Sequence, residues 1–484
     1  MVFRHDGRVS WSRPQHHMFN LPLDSHMFGL PLDSHDFSTA APTLSLNNFS
    51  LRDAIGSLGL PSTQGAKSPL EDLVGLLKFA VGVEHGLLIQ YLYAAYACKN
   101  VVVSSVLRRI STEEMGHLLS VMNLLVALGE NPNLSRYDAN VDRTFDPFPF
   151  RLEPVSANVL AKYAACERPD DLNIDPEELP YLPEILSAAS HSAGISPVRV
   201  GLLYAKIYWL LRASDDPLQN PQDEPWIGFP IEDVVRECPP NWHVHPFPVT
   251  DPTNIQGGHK PWQASSPNVL VGIATTRELA LRAIADLTSQ GEGFGNQPDA
   301  HFDKFVEAYL AVKADPDPTT LVPMNPWYKG SAGAQGHAAD EITSEAGRLI
   351  ALAADQVYEL ILLSIALFFS TSEDTDQPLR KVLGEAAMAC MKACLSPLAA
   401  ILVTIDRHKD APDGRKAAPC FSLPVSGPAD PSTLKARIRE LLKQCTQTAS
   451  DISNSAEIDP DVVKRVARVF KDLDKHKNKL EQKL

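Results

Sequence analysis

Two long stretches in the first third of the chain carry apolar residues at the three- and four-residue spacing of helices with a buried face. The first, residues 69–98, follows a serine and opens with a proline and acidic residues, which is typical of a helix N-terminus. The second begins after Lys99 and Asn100 and stops at Gly129, a common helix terminator. Because long helices joined by a short loop pack antiparallel, the pattern predicts a helical pair.

Helical periodicity returns along the remainder of the chain. A proline-rich stretch, residues 132–197, predicts irregular connections. Beyond it we predict helices over residues 196–214, 275–290, 298–312, 341–369 and 377–405, and a C-terminal helical pattern from about 432. Almost no alternating strand pattern is present, so the predicted fold class is all-α, with long irregular insertions.

The chain has 484 residues and a net charge of −15. This negative charge disfavours nonspecific binding to nucleic acid or to an anionic membrane. The longest apolar run, YELILLSIALFF, begins with charge and ends at STSEDTD, so we expect no transmembrane segment. The N-terminus has no hydrophobic signal core, and the seven cysteines form no CxxC pair. These features predict a soluble protein of a reducing compartment, and the cytoplasm is the expected location.

The chain divides into three predicted regions. Residues 1–60 form an N-terminal extension with a tandem repeat, MFNLPLDSH followed by MFGLPLDSH. We interpret this extension as an arm that is mobile or that docks on its own or a neighbouring domain. Residues 61–425 hold the helices of the main domain, and residues 426–484 form a C-terminal helical extension.

Ionisable residues interrupt the apolar faces of the first two predicted helices. Glu114 and His117, in STEEMGHLLSVMN, are three residues apart and share a helix face. Glu84 precedes the connecting loop by about as many residues as Glu114 follows it, so all three side chains should meet in the core. If only Glu114 and His117 are considered, they could lie on a solvent-exposed helix face, or the histidine could pair with the carboxylate in the core. Three convergent buried groups instead predict a divalent or trivalent cation between them.

A glutamate on one helix with Glu-x-x-His on the next is half of a carboxylate-bridged di-iron or di-manganese site. Carboxylates with one imidazole suit iron(II) or manganese, so iron is the predicted metal and manganese the alternative. The Glu-x-x-His motif occurs once, and the best remaining donors are Glu292 and His301, with Asp355 in reserve. Five donors could hold one ion fully or two sparsely, and the sequence leaves that number open.

Several blocks of the sequence resemble one enzyme family. EHGLLIQYLYAAY, STEEMGHLLSVMNLLVALGENP, LTSQGEGFG with the downstream DAHFDKFVEAYL, and LVPMNP are similar, in the same order, to iminophenyl-pyruvate dimer synthases. These are the violacein- and rebeccamycin-type enzymes that couple oxidised aromatic amino acids, and the resemblance spans about residues 69–424. At Gly116 the family usually has a bulky apolar residue, which predicts a wider pocket here. The resemblance implies a ferritin-like helical bundle whose metal ligands are Glu84, Glu114, His117, Glu292 and His301.

Three functions are compatible with these features. The first is a non-haem iron oxidoreductase or synthase of secondary metabolism, as the resemblance implies. It would use O2, would oxidise a small amino-acid-derived substrate or couple an imine, and would have Glu84, Glu114 and His117 as catalytic residues. The second is a non-catalytic ferritin-like module with a structural metal. The third is an accessory subunit that shelters a reactive imine for a partner oxidase.

The expected partners follow from the same features. They are the small substrate and either a second copy of the chain or a partner oxidase. Neither nucleic acid nor membrane is expected as a partner, because the chain is acidic.

Overall fold

A computed structural model shows how the chain folds. It describes residues 9–11, 51–132, 134, 136, 147–169, 179–194, 196–213, 224–258, 262, 269–292, 299–332, 336–409, 414–423 and 430–484. The side chains of residues 9–11 and of Glu292 are outside this description. The tandem repeat, at residues 18–35, also lies outside the described residues.

Helices make up most of the described chain. They are α1 (Leu51–Leu58), α2 (Pro69–Ala97), α3 (Val101–Ala127), α4 (Ala157–Cys166), α5 (Leu182–Ala193), α6 (Gly201–Leu211), α7 (Ile231–Glu237), α8 (Arg277–Glu292), α9 (His301–Ala314), α10 (Glu345–Phe369), α11 (Glu373–Ala389), α12 (Ser396–Leu402), α13 (Pro431–Asn454) and α14 (Pro460–Lys483). A π-helical segment, Cys390–Leu395, joins α11 to α12. Short 3-10 turns occupy Leu179–Tyr181 and Ala338–Asp340.

Strand structure is minor in the described residues. The three-residue strands β1 (Val9–Trp11) and β2 (Pro61–Thr63) pair antiparallel, with Val9 opposite Thr63. The isolated bridges elsewhere do not extend into a sheet. The predicted all-α class is therefore confirmed.

The helical pair has close to the predicted bounds. α2 begins after Ser68, whose Oγ accepts a hydrogen bond from the amide of Glu71 at 3.2 Å. α3 begins after Asn100, whose side-chain oxygen accepts from two amides of the first turn. Gly129, with a left-handed φ of 79°, follows the end of α3. The two capped helices are joined by a short connection and pack against each other.

The α2–α3 pair lies between two groups of helices. In one group α6 contacts α2, α8 and α9 contact α3, and α4 packs on α9. In the other group, α10, α11 and the π-helical segment share a cavity with α2 and α3. The C-terminal helices cover this second group, since α13 packs on α10 and α14 on α11. The buried apolar residues of both groups and of the pair form one core.

The proline-rich stretch over residues 132–197 is more regular than predicted. It contains α4 and α5, and α4 begins at a conventional cap, because Ser156 Oγ accepts from the amide of Val159 at 3.2 Å. Neighbouring prolines obscured the short apolar pattern of ANVLAKYAAC. The interpretation of the whole stretch as irregular is therefore wrong.

The single helix predicted over residues 377–405 is interrupted. Helix α11 starts earlier, at Glu373, and the chain then passes through the π-helical segment before α12. The amide of Ser396 donates to the carbonyl of Met391, five residues back. Pro397 explains the change, because it has no amide hydrogen to continue the usual bonding to the fourth residue back.

By length and composition, two helical stretches of the described chain could cross a membrane: α10 and Glu373–Leu402. From the sequence, no transmembrane segment was expected. In α10, 78% of the most apolar window is buried inside the protein, and in the second stretch the share is 56%. The apolarity of α10 is accounted for by its position between α11 and α13 in the core. All seven cysteines are unpaired thiols, and six of them are buried.

Candidate metal centre

Three predicted residues of the first two helices meet in the core. Glu84 comes from the middle of α2, and Glu114 and His117 come from adjacent turns of α3. Their ligand atoms lie within 4.8 Å of one another, and all three side chains are buried. His117 Nδ1 is 3.0 Å from Glu114 Oε2 and 3.6 Å from Glu84 Oε2. The equal spacing of the two glutamates from the interhelical loop thus places them at one depth.

A second group of three residues shares Glu114 with the first. It consists of Glu114, Glu167 and His301, whose ligand atoms again lie within 4.8 Å of one another. Glu167 directly follows the last residue of α4, and His301 is the first residue of α9. Because this glutamate and histidine come from the ends of different helices, the second group has no Glu-x-x-His motif.

Glu114 connects the two groups through its two oxygens. Oε2 faces His117 Nδ1 at 3.0 Å, and Oε1 faces His301 Nδ1 at 2.9 Å. The two imidazole rings are stacked, with centroids 5.4 Å apart and an interplanar angle of 27°. Glu84 and Glu167 complete two Glu–His half-sites around one central carboxylate.

The far nitrogen of each histidine lies against an acceptor. His117 Nε2 is 3.0 Å from Gln290 Oε1, and His301 Nε2 is 3.1 Å from Glu113 Oε2. Lys304 Nζ holds Glu113 Oε2 at 2.9 Å. In a neutral imidazole these acceptors fix the proton on Nε2 and leave the Nδ1 lone pair directed at the centre. This is the usual arrangement behind a metal-binding histidine.

Tyrosine hydroxyls restrain the two outer glutamates. Tyr204 on α6 donates to Glu84 Oε1, and Tyr91 on α2 donates to Glu167 Oε1 at 2.9 Å. Both tyrosines are buried. Each hydrogen bond occupies one carboxylate oxygen and limits the rotation of the side chain.

Burial and mutual charge shift the acidities of these groups. Burial, followed by the negative charge of Glu114, raises the pKa of Glu84 to about 7. Burial also opposes ionisation of Glu114, but His301 and His117 outweigh it and hold the pKa of Glu114 below its ordinary value. Burial opposes protonation of His301, yet Glu114 and Glu113 raise its pKa to about 9. Opposed shifts in one compact cluster are typical of functional sites, although ion-pair networks also produce them.

Three ligand atoms of this centre are buried and unsatisfied. Glu84 Oε2, Glu114 Oε1 and His301 Nδ1 are buried without a hydrogen-bond partner among the described residues. His301 Nδ1 and Glu114 Oε1 are close, but they lack hydrogen-bond geometry. Leaving such atoms unpaired is costly, and a cation between them would satisfy all three. The donor set of carboxylate oxygens and imidazole nitrogens fits iron(II) or manganese(II).

Two ligand candidates from the sequence are not among the five residues of these two groups. Glu292 is the last residue of α8, and its side chain lies outside the described residues, so its role stays a prediction. Asp355 belongs to another polar cluster, where it accepts hydrogen bonds from the Tyr328 hydroxyl and the Ser422 amide, both at 3.0 Å. The reserve assignment of Asp355 as a ligand is therefore wrong.

Sequence reasoning missed Glu167. The signal was present, because a serine cap, a short apolar period and the ending CERP mark a helix with an acid at its end. The interpretation of residues 132–197 as irregular hid this helix. A glutamate outside any recognised helix could not be assigned to a face or a depth.

Gly116 does not widen a pocket. A Cβ atom at this position would lie 2.3 Å from the carbonyl oxygen of Leu270, so the glycine admits the backbone of a crossing segment, residues 269–272. The next turns of α3 hold the same segment, since Ser120 Oγ accepts from the Gly272 amide at 2.8 Å. Asn123 Nδ2 donates to the Gly272 carbonyl at 2.7 Å. The predicted wider pocket at Gly116 is therefore wrong.

The space beside the centre is small. A cavity of about 10 Å³ lies against Glu84, Glu114 and His117, and its wall includes Leu87 and Val200. This is room for about one water molecule. Organic ligands usually occupy cavities of roughly 300–1,000 Å³.

The chain is similar to known proteins in three comparisons. The ferritin-like family model matches residues 77–310, a range that includes all five members of the two groups. Dichlorochromopyrrolate synthase from Lentzea aerocolonigenes is 24% identical over 420 residues, which cover 75% of this chain and 37% of that protein. The chain thus spans little more than a third of the length of that relative. A solved ferritin-like protein from Caulobacter vibrioides is 16% identical, with a TM-score of 0.36, over 66% of this chain and 94% of that one.

The family match and the relative confirm the resemblance seen in the sequence blocks. The predicted domain boundaries at residues 60 and 425 are not tested by the match, so they stay predictions. Residues 77–310 of this all-α chain are thus similar to the ferritin-like family.

Proposed function

We propose that this chain is a metal-dependent enzyme of secondary metabolism that oxidises or couples a small amino-acid-derived substrate. The ferritin-like domain and the similarity to a synthase support the proposal. The observation that carries it is the pair of Glu–His groups around Glu114, in which buried ligand atoms lack hydrogen-bond partners among the described residues. The cytoplasm remains the proposed location.

Five side chains would hold the metal. Glu84, Glu114 and His117 would bind one ion, and Glu114, Glu167 and His301 would bind a second, so that Glu114 serves both. Iron is the proposed metal and manganese the alternative. Bound iron would supply one-electron redox chemistry, with O2 as the proposed co-substrate.

The surrounding residues would prepare the centre for that chemistry. Gln290 and Glu113 would keep the Nε2 protons of the two histidines in place, so that each Nδ1 faces the metal. Tyr204 would hold Glu84 in one orientation through its Oε1 atom. The apolar wall formed by Leu87 and Val200 would exclude bulk water, which strengthens every electrostatic interaction inside.

The proposed substrate class rests on similarity. The matched relative is named a dichlorochromopyrrolate synthase, and the sequence blocks resemble enzymes that couple oxidised aromatic amino acids. We therefore propose a small imine or acid derived from an aromatic amino acid. A partner oxidase or a second copy of the chain remains a proposed partner.

Metal analysis of protein purified without chelator and supplied with iron(II) tests the proposal. We expect wild-type protein to hold about two ions per chain, because each half-site contributes a glutamate, a histidine and one oxygen of Glu114. His117→Ala and His301→Ala should each reduce the content to about one, and Glu114→Ala should remove nearly all of it. Glu307→Gln, at an exposed position on α9, is the matched control and should keep the full content.

The small cavity favours a second candidate, a structural metal in a non-catalytic module. The two functions are separated by oxygen consumption with imines of aromatic amino acids, measured for iron-loaded wild-type protein and for His117→Ala. Consumption that is lost in the variant supports the enzyme. Bound iron without consumption would support the structural role, and wild-type protein that retains neither iron nor manganese would overturn both.

A further inference from the structure

A second and much larger cavity lies on a different face of the α2–α3 pair. Its volume is about 290 Å³, at the lower end of the range for small-molecule sites. The walls come from α2 and α3 on one side and from α10, α11, the π-helical segment and α12 on the other. Met115 and Leu118 line this cavity, whereas their neighbours Glu114 and His117 belong to the candidate metal centre. The two sites share helices but no lining residue.

The cavity is long, and its lining is mainly apolar. On α2 it extends from His85 to Tyr96, which corresponds to about 16 Å along a helix axis. Leucine and isoleucine side chains form much of the wall, together with the methionines Met115, Met388 and Met391. Methionine side chains adapt easily to an apolar ligand. This lining fits an elongated apolar body.

Two basic side chains lie at one end of the cavity. Arg108 lies there beside Tyr96 and Ser396, and Lys392, an exposed residue about one turn before Ser396, also lines the cavity. Arg108 Nη1 donates to Ser396 Oγ at 3.1 Å, and the guanidinium lies 4.7 Å from the centre of the Tyr96 ring. In the part of the chain that the structure describes, neither basic residue forms an ion pair with a carboxylate. In a chain of net charge −15, two such groups at one cavity indicate an anionic ligand group.

His85 and Tyr358 line the opposite end of the cavity. The Tyr358 hydroxyl donates to His85 Nε2, and His85 Nδ1 donates to the carbonyl of Leu134 at 3.1 Å. Both ring nitrogens are used by these bonds. Arg136 Nη1 donates to the Tyr358 hydroxyl at 3.4 Å, but Arg136 does not line the cavity, so the lysine and arginine side chains of its described lining are Arg108 and Lys392.

The π-helical segment forms part of the basic end. Met391, Lys392 and Leu395 lie on this segment and line the cavity. A π turn adds a residue to the helix and changes the direction of the side chains, and such turns are frequent at functional sites. The π-helical segment thus contributes a methionine and an exposed lysine to the lining of the cavity.

We propose that this cavity binds an elongated apolar monocarboxylate. The carboxylate would bind Arg108 and Lys392, and the apolar body would extend past Met115 toward Tyr358. A single anionic group is inferred because Arg108 and Lys392 are the lysine and arginine residues of the described lining. The proposal does not depend on the metal centre or on the proposed function.

Calorimetric titration of the full chain with decanoate tests this proposal. We expect one decanoate to bind per chain, and 1-decanol, which has the same apolar body without the charge, to bind at least tenfold more weakly. Arg108→Met should weaken decanoate binding tenfold or more, because a charge-assisted hydrogen bond is lost, and should leave 1-decanol binding unchanged. Arg348→Met, at an exposed basic residue of α10, is the matched control and should change neither affinity.

Two further variants keep the test decisive. Leu362→Trp places a large side chain in the cavity and should abolish the binding of both compounds, with helical content unchanged by circular dichroism. Arg108→Lys keeps the charge and should restore most of the affinity for decanoate. The proposal is overturned if decanoate does not bind, if decanoate and 1-decanol bind alike, or if a folded Arg108→Met or Leu362→Trp protein binds decanoate as wild type does.

Discussion

At the scale of single residues, the proposed centre depends on hydroxyl groups that hold carboxylates in position. Tyr204 and Tyr91 donate to Glu84 and Glu167, and both tyrosines are buried beside the centre. Neither hydroxyl is needed as a metal donor. Their contribution is to restrict the glutamates to orientations that suit a cation, which partners of this kind commonly do.

The first prediction concerns Tyr204→Phe. The substitution removes the hydrogen bond to Glu84 Oε1 and keeps the ring in its apolar surroundings. We expect the affinity for iron(II), measured by competition with a chelator, to fall about 10- to 100-fold. Tyr208→Phe on the same helix is the control, because the Tyr208 hydroxyl bonds Glu224 instead. Equal affinities in wild-type and Tyr204→Phe proteins would show that Glu84 needs no such partner.

Asp355 shows the cost of a buried carboxylate outside the proposed centre. Burial raises the pKa of Asp355 to about 7, although the Ser422 amide and the Tyr328 hydroxyl act in the opposite direction. A group whose pKa is higher in the folded than in the unfolded protein binds more protons when folded. Its contribution to stability is therefore present at low pH and is lost as the pH rises through the folded pKa of about 7.

The second prediction is that Asp355→Asn removes this pH dependence. Between pH 5 and pH 8 the free energy of unfolding of the variant should rise relative to that of wild type, by a few kcal/mol at most since each pKa unit corresponds to about 1.4 kcal/mol. Denaturant unfolding at several pH values measures this difference. Asp451→Asn, at an exposed position on α13, is the control and should leave the pH dependence as it is. A constant difference between Asp355→Asn and wild type would contradict the prediction.

At the scale of elements, the centre requires α3 to pack closely with an irregular segment. The backbone of Leu270 crosses α3 at Gly116, and Ser120 and Asn123 bond Gly272 two turns further along. A glycine inside a helix weakens it by about 0.5–1 kcal/mol relative to alanine. At position 116 glycine is nevertheless required, because no side chain fits between the backbones of α3 and Leu270.

The third prediction compares two glycine-to-alanine substitutions. Gly116→Ala should destabilise the protein by about 1–3 kcal/mol, because the new Cβ would lie 2.3 Å from the Leu270 carbonyl oxygen and the crossing segment must shift. Gly56→Ala in α1 has no atom within 4 Å of the new Cβ and should stabilise the protein slightly. Chemical denaturation of both variants measures the effects. The explanation of Gly116 fails if both variants gain stability.

At the scale of the whole molecule, the helical fold places several ionisable side chains in the middle of an apolar core. Four of them are almost fully buried: Glu84, Glu114, His117 and His301. They lie on the side of the α2–α3 pair that packs against the group of helices α4, α6, α8 and α9. Burial of charges is unfavourable unless they are fully paired. A bound cation would therefore stabilise the fold as well as serve chemistry.

The fourth prediction is that the metal raises the thermal stability. A ligand present at a thousandfold excess over its Kd stabilises the folded state by about 4 kcal/mol. We expect the Tm of the metal-stripped protein to lie several degrees below that of the iron-loaded protein, and to recover when iron(II) is restored. In the His117→Ala, His301→Ala double variant, iron(II) should leave the Tm unchanged. Identical Tm values for stripped and loaded wild-type protein would argue against a metal in the core.

Local features of the sequence were sufficient for the helical pair and for part of the site. The caps at Ser68 and Asn100, the apolar period and the short loop determine the register of α2 against α3. A short connection sets the register of two antiparallel helices. The proximity of Glu84 and Glu114 could therefore be predicted from their spacing along the chain alone. His301 was a candidate donor from the sequence, and the family resemblance also implied it as a ligand, but neither gave its geometry.

The second half of the centre and the larger cavity depend on how distant helices pack. Glu167 and His301 stand at the ends of α4 and α9, and the packing of these helices against each other and of α9 on α3 brings them to Glu114. Arg108 and Lys392 likewise meet at one cavity through helices far apart in the chain. The sequence by itself determined what depends on neighbouring residues, such as helix bounds and the face shared by Glu114 and His117. Contacts between distant helix ends depend on how side chains of many helices fill one core, and no local pattern encodes that.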